Sequence, residues 1–186
     1  MQTKNDVILC GDEKKQKEGY SPPSIKKWKS AKELFDLGLK EVPTLWSPYI
    51  IKTGLVGITG PSESNKSTFL RGLAAAIAMR RKAYLGYPLN VEHGRALLVL
   101  TEDGMYQTAA NLRRYFENSK DPDAMEQIMF MFDSENLIND LDEKLTHRPA
   151  DVIGIDTWSD GFGGNINNII EVRKSLNELS AIAEKH

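Results

Sequence analysis

The stretch that decides the fold is Leu55-Val56-Gly57-Ile58-Thr59-Gly60-Pro61-Ser62-Glu63-Ser64-Asn65-Lys66-Ser67-Thr68. It predicts a core strand, Leu55 to Thr59, then a loop and an Ala- and Leu-rich helix. This arrangement is typical of a nucleotide phosphate site, because the loop N–H groups and the helix N-terminus present partial positive charge. The candidate nucleotide-binding residues are Gly60, Pro61, Ser62, Glu63, Ser64, Asn65, Lys66, Ser67 and Thr68.

Two residues of the loop carry its expected chemistry. Lys66 is expected to reach the outer phosphates of a polyphosphate, and the Ser67 hydroxyl to bind Mg²⁺. The usual pattern has glycine before the lysine, whereas this sequence has Asn65. If the loop needs a positive φ there, asparagine is the least costly substitute, because it tolerates the left-handed region better than most residues. We therefore expect Asn65 to weaken nucleotide affinity without abolishing it.

Composition sets broad limits on the protein. The 186 residues suffice for one domain with a substantial core, and 40% hydrophobic with 27% charged residues is an ordinary globular balance. The net charge of -2 gives no global basic field that would favour nucleic acid. The single cysteine, Cys10, excludes an intramolecular disulfide. Without a signal-peptide pattern or an apolar run of membrane-spanning length, the sequence predicts a cytoplasmic protein.

The chain divides into a leader and a folded domain. Residues 1–30 are polar and lysine-rich, which favours a flexible leader, with a basic arm for nucleic acid or a neighbouring subunit as the alternative. Residues 31–186 form the predicted domain, and Ser30 with Glu33 forms a capping-box pattern at its first helix. Further along, Trp46 and Tyr49 are expected either to pack on the sheet edge or to stack on an adenine base.

A second predicted strand, within residues 95–100, ends at Thr101-Glu102-Asp103. Carboxylates at the C-terminal end of a parallel strand point into the crevice where α/β folds bind ligands. Glu102 is therefore a candidate general base for activating a water molecule. The alternative is that Glu102 and Asp103 only begin the next helix, where acids suit the N-terminus.

A third strand ends in another acid. The run Val152 to Ile155 leads to Asp156, a Walker B pattern whose aspartate orients Mg²⁺. The glycine-rich stretch 157–164 follows as a candidate mobile segment, in which Trp158 is expected either to move or to pack. Residues 128–132 are predicted to form a further buried strand. Helices are predicted over 67–81, with the stripe Leu70, Leu73, Ala74, Ile77 and Ala78; over 104–118, with Met105, Ala109, Leu112 and Phe116; over 135–145, with Leu137, Leu141 and Leu145; and at the C-terminus, with Ile169, Val172, Leu176, Leu179 and Ala183.

With these motifs in place, the chain from about Val42 to His186 resembles the RecA-like P-loop ATPases of the AAA type. Within that type, it resembles the group similar to the hexameric replicative helicase RepA. The resemblance implies a three-layer α/β P-loop NTPase core, with a mostly parallel sheet flanked by helices. It implies ATP as substrate and Mg²⁺ as cofactor, with Lys66 and Glu102 as catalytic residues, and Ser67 and Asp156 as metal ligands. It also implies a ring-forming homo-oligomer that acts on DNA in replication, repair or mobile-element maintenance. No membrane partner is expected, because no apolar run reaches membrane-spanning length.

The resemblance further implies a central strand after the last helix, between the phosphate-loop strand and the Walker B strand. The sequence ends before that strand, so we expect a partial domain, from a longer protein or a shortened gene product. Its absence leaves two strand edges unpaired, which is costly.

Three functions remain open at this stage. The first is helicase-like ATP hydrolysis. The second is a catalytically weak nucleotide-binding module, because of Asn65 and the missing strand. The third is a P-loop kinase, against which Glu102 argues, because a kinase needs no base for water.

Overall fold

The computed structural model describes residues 28–116, 121–132 and 135–186. Residues 1–27 of the predicted leader, together with 117–120 and 133–134, lie outside the described residues. In chain order the elements are α1 (Ala31–Phe35), β1 (Thr44–Trp46), β2 (Ile50–Ile51), α2 (Lys66–Ala78), β3 (Ala83–Tyr84), β4 (Tyr87–Pro88), β5 (Ala96–Leu100), α3 (Met105–Phe116), α4 (Pro122–Met125), β6 (Ile128–Met131), α5 (Leu137–His147), β7 (Val152–Asp156), α6 (Trp158–Gly161) and α7 (Ile169–Lys185).

The main sheet of the described residues has three parallel strands in the order β6-β5-β7. Its middle strand, β5, is buried along its whole length, as its continuous apolar sequence predicts. Ala96 is opposite Ile128 on one side and Val152 on the other, and Leu100 is opposite Asp156. The predicted α/β fold with a parallel sheet flanked by helices is therefore confirmed.

Side chains of β5 alternate between two hydrophobic layers. Leu98 and Leu100 pack with the alanines of α2 and with Phe116 of α3. Leu97 and Val99 face the other way, toward leucines of α5 and the C-terminal half of α7. This alternation is the period of two that a strand imposes, and it places a helical layer on each face of the sheet.

Helix α2 lies very close to the sheet. A β-carbon on Gly154 of β7 would lie 2.6 Å from Leu70 Cδ1 and 2.8 Å from Leu98 Cδ2, so only glycine allows this approach without a shift. Leu70 is in the second turn of α2 and Arg71 contacts Asp103, just beyond the C-terminal end of β5. The N-terminus of α2 therefore points to the edge of the sheet where the strands end.

At the other end of the sheet, where β5 and β7 begin, an aspartate holds the two strands together. Nothing in the sequence indicated this role. The Asp151 carboxylate, just before β7, accepts backbone N–H groups from residues 92–95 at 2.6–3.1 Å. Four donors on one carboxylate hold the turn that leads into β5 against the start of β7. These bonds align β5 and β7 at the residues that immediately precede the first pair of their ladder, Ala96 and Val152.

Two small hairpins pack beside α2. The strands β1 and β2 form one, and β3 and β4 form the other. Trp46 is 8% exposed, and its indole Nε1 donates to the Tyr84 carbonyl at 2.9 Å. The packing interpretation of Trp46 is confirmed, whereas Tyr49 remains half exposed beside it. The capping box of Ser30 and Glu33 at α1 is also present.

One predicted core strand is wrong. Residues 54–61, all of them described, form no strand, and Leu55, Val56 and Ile58 are each 46% exposed. A cavity of about 220 Å³ separates Thr53–Leu55 from the outer edge of β7, where it is lined by Val152, Ile153 and Ile155. Backbone groups form a strand only when a neighbour satisfies them, and no described residue supplies that neighbour here.

Helix boundaries and faces also differ from expectation. The predicted helices over 67–81, 104–118 and 135–145 are observed as α2, α3 and α5 with ends displaced by up to three residues. Met105 is 65% exposed while Thr108 is buried, because the face around Leu112 and Phe116 is the one that packs on the sheet. Ile169 is 63% exposed, since only the C-terminal half of α7 reaches the α5 layer. Within 157–164, α6 forms one helical turn and Trp158 stacks on Phe162 at 4.8 Å.

Candidate active site

The phosphate-loop candidate wraps around the ammonium group of its own lysine. Lys66 Nζ donates to the carbonyls of Gly60 at 3.0 Å and Pro61 at 2.8 Å, and it lies 3.3 Å from Ser64 Oγ. A β-carbon on Gly60 would lie 2.9 Å from Ser64 Oγ, so a larger residue there would require the Ser64 side chain to move. The loop therefore holds a cation at its centre, where a polyphosphate would be attracted.

Asn65 adopts the left-handed conformation that its replacement of glycine suggested. Its φ is 63° and its ψ is 25°, and it immediately precedes the first residue of α2. Glu63 also has a positive φ, 62°, which no sequence signal indicated. Two non-glycine residues in this region add backbone strain to the loop. Among the described residues, the Asn65 side chain accepts no capping hydrogen bond from α2.

The two predicted acids lie at the ends of neighbouring strands. Asp156 is the last residue of β7, and Glu102 is the second residue after β5 and is exposed. Because Leu100 is opposite Asp156, both carboxylates belong to the edge of the sheet that α2 also reaches. Glu102 and Asp156 thus lie at the same end of the sheet, and the ion pair between Arg71 and Asp103 places α2, which begins with Lys66 and Ser67, beside that end.

Thr101 joins these two strand ends, and the sequence had assigned it no role. Its backbone N–H donates to the Asp156 carbonyl at 2.9 Å, and its hydroxyl accepts the Thr157 N–H at 2.9 Å. The same hydroxyl donates to the Thr157 carbonyl at 3.2 Å. One backbone bond and two side-chain bonds thus join the strand ends beyond the β5–β7 ladder, so the backbones carrying Glu102 and Asp156 are fixed relative to each other.

Asp103 connects the acid-bearing turn to α2. Its carboxylate forms an ion pair with the guanidinium of Arg71, which is 7% exposed. Arg71 Nε has no hydrogen-bond partner among the described residues, so Asp103 supplies the compensation that this buried charge receives. The alternative, in which both acids only begin the next helix, α3, does not account for Asp103, because its carboxylate bonds to Arg71 of α2. Glu102, by contrast, has no ion-pair partner within the described part of the chain.

Comparison with known families agrees with this geometry. Residues 22–186 match the family described as AAA domain, which is most of the chain. The chain belongs to this family. AAA domains of this kind are P-loop ATPases, so membership indicates nucleotide binding and ATPase activity. A search of curated proteins found no match.

Two side chains of this AAA domain are suited to hold Mg²⁺. The Ser67 hydroxyl is in the first turn of α2 and the Asp156 carboxylate ends β7, and hard oxygen donors of this kind are those that Mg²⁺ prefers. No group of three or more His, Cys, Asp or Glu residues that could hold a metal occurs among the described residues. The donor set therefore fits an ion that keeps waters and substrate oxygens as its remaining ligands.

Across residues 28–116, 121–132 and 135–186, no helix is long and apolar enough to cross a membrane.

The ion pair predicts an unequal effect of removing the two adjacent acids. We expect Asp103→Ala to lower the free energy of unfolding by about 3 kcal/mol, because Arg71 would be left buried without a counter-charge. The matched control Glu102→Ala removes an exposed carboxylate and should change stability by less than about 0.5 kcal/mol. Urea denaturation at pH 7 measures both. Equal losses would contradict the assignment, whereas the double variant Arg71→Met/Asp103→Leu should recover much of the lost stability.

Proposed function

We propose that this AAA domain binds ATP at Gly60–Thr68 and hydrolyses it in the presence of Mg²⁺. The observation that carries the proposal is the shared edge, where the N-terminus of α2 and the acid-bearing ends of β5 and β7 come together. The Arg71–Asp103 ion pair links the two parts directly. Binding at the loop and chemistry at the strand ends would therefore be mechanically connected.

Lys66 is the proposed phosphate-binding residue. Its ammonium now donates to two loop carbonyls, and on nucleotide binding it would exchange at least one of these for a phosphate oxygen. The N–H groups of the loop and of the first turn of α2 would bind the remaining phosphate oxygens. The cation then offsets the negative charge that develops during phosphoryl transfer.

Glu102 is the proposed general base. Its exposed carboxylate would accept a proton from a water molecule while the water oxygen attacks the γ-phosphorus and ADP leaves. Thr101 positions this carboxylate by fixing the strand end on which it stands. Bound through Ser67 and Asp156, Mg²⁺ would supply charge neutralisation at the phosphate oxygens.

A second candidate function is nucleotide binding with little hydrolysis. The unpaired segment Leu55–Thr59 favours it, because a loop whose lead-in lacks a sheet neighbour is held less rigidly. The positive φ angles of Glu63 and Asn65 point the same way. Catalysis depends on fixed geometry more strongly than binding does, so the lead-in would affect turnover first.

Replacement of the two proposed catalytic residues tests the main proposal. We expect Lys66→Ala to weaken ATP binding and remove hydrolysis, because the cation at the centre of the loop is lost. Glu102→Gln should keep ATP affinity and lower turnover by about 10²–10⁴-fold, since the amide cannot accept the proton. Calorimetric titration and a phosphate-release assay measure the two quantities. Glu126→Gln, an exposed glutamate at the opposite edge of the sheet, is the control. Unchanged turnover in Glu102→Gln would refute the assignment of the base.

Asn65 provides a test of the loop itself. We expect Asn65→Gly to tighten ATP binding by roughly fivefold, because glycine adopts the observed φ freely and removes a side chain next to the phosphates. Asn65→Ala is the control, because it also removes the amide but keeps a β-carbon at positive φ, which costs on the order of 1 kcal/mol. ATP titration distinguishes the two. An unchanged affinity in the glycine variant would show that Asn65 does not limit binding.

We further infer, from the resemblance to the RepA-like helicase group, that hydrolysis is coupled to DNA and carried out by a ring of copies. The expected result is a severalfold rise in ATP turnover when single-stranded DNA is added, together with a mass of several protomers in light scattering. Glu102→Gln serves as the control for background hydrolysis. Turnover that does not change across a range of DNA concentrations would separate ATP hydrolysis from a helicase-like role.

A further inference from the structure

A cavity of about 430 Å³ opens directly beside the phosphate loop. Asn65 and Thr68 belong to both the loop and the cavity lining. The volume lies within the range of roughly 300–1,000 Å³ typical of small-molecule sites. The cavity between Thr53–Leu55 and β7 is smaller, at about 220 Å³, and none of its lining residues belongs to Gly60–Thr68. Of these two cavities, only the larger one continues from the loop.

Aromatic residues from two different elements wall this cavity, and their hydroxyls fix them to α2. Tyr115 of α3 donates from Oη to the Thr68 carbonyl at 3.1 Å, and Tyr84 of β3 donates to the Phe69 carbonyl at 2.9 Å. Burial raises the pKa of Tyr84, so its phenol stays protonated and keeps this donor role. Both rings are thereby held against the first turn of α2, the helix that begins within the phosphate-loop candidate.

Two arginines complete the lining. Arg81 and Arg114 are both exposed, and neither forms an ion pair with a carboxylate within the described residues. A guanidinium is planar and weakly hydrated, so it stacks on aromatic faces and also donates hydrogen bonds to heteroatoms at the ring edge. Arg81 Nη2 contacts Met79 Sδ at 3.7 Å, so Arg114 is the arginine of this lining with neither an ion pair nor a side-chain hydrogen bond among the described residues. The combination of fixed phenol rings with such a guanidinium group suits a flat, polar-edged ring.

We propose that this cavity holds the base and ribose of the nucleotide, with Arg114 as the residue that recognises the base. The inference rests on the proposed ATP site. In a phosphate loop the lysine takes the outer phosphates, so the nucleoside extends from the opposite end of the polyphosphate. Asn65 and Thr68 are the loop residues that line the cavity, and Thr68 is the last residue of the loop. The nucleoside therefore leaves the loop on the side of Tyr115 and Arg114.

Tripolyphosphate, which has the phosphates of ATP without its nucleoside, tests this directly. We expect the full chain to bind Mg-ATP at least tenfold more tightly than Mg-tripolyphosphate in a calorimetric titration. Arg114→Ala should weaken Mg-ATP by about tenfold and leave Mg-tripolyphosphate unchanged. Arg113→Ala is the matched control, because Arg113 is the exposed neighbour on α3 that does not line the cavity. It should change neither affinity. Arg114→Lys keeps the charge but loses the planar group, and it should remain weakened toward ATP.

The outcomes separate this inference from the function on which it rests. If the unmodified chain binds neither ligand, the proposed ATP site itself fails. If it binds both equally, or if Arg114→Ala weakens both by the same factor, the phosphate site stands and the base pocket is refuted. If Arg113→Ala lowers ATP affinity as much as Arg114→Ala, the effect is the general field of the helix and the inference is also refuted. Circular dichroism confirms that each exposed-surface variant is folded.

Discussion

The structure depends on the burial of β5 on both faces and its pairing on both edges. A strand with five buried residues has no solvent to satisfy its backbone, so both neighbours must be present. The parallel ladders to β6 and β7 provide them, and parallel pairing requires every connection to cross the sheet through a helix. All three strands therefore end at one edge. The position of the candidate active site follows from this constraint before any catalytic residue is considered.

Close packing of α2 on the sheet extends the same constraint to the helix that follows the phosphate-loop candidate. Alanines on the helix and Gly154 on β7 let its backbone approach the sheet, and Arg71 bonds to the turn after β5. Movement of α2 relative to the turn that carries Glu102 would therefore disrupt apolar packing and the buried ion pair. The loop is anchored firmly from the helix side. The segment that precedes the loop, Leu55–Thr59, is exposed, so the two ends of the loop are held with unequal strength.

Local patterns predicted most of the fold and the end of the sheet at which the candidate acids lie. The continuous apolar runs identified β5, β6 and β7, and the leucine spacing identified the buried face of α5. Features that depend on partners distant in sequence were not predictable. The Asp103–Arg71 pair joins residues 32 positions apart, and the Asp151 bonds to the turn before β5 span up to 59. Thr101 gave a weak signal, because a hydroxyl residue at a strand end is common and its partner is on another strand.

The wrong prediction of a strand at Leu55–Thr59 shows that an apolar sequence pattern alone does not determine whether a segment forms a strand. Its apolar residues are as suitable for a strand as those of β7, yet periodicity measures only the preference of a segment and not the presence of its neighbour. Between this segment and β7 there is a cavity lined by apolar side chains on both sides, including Leu55 and Ile153. Because this cavity separates them, neither Leu55–Thr59 nor the outer edge of β7 satisfies the backbone of the other. Whether Leu55–Thr59 forms a strand therefore depends on a neighbouring strand, because the segment supplies the backbone donors and acceptors of only one side of a ladder.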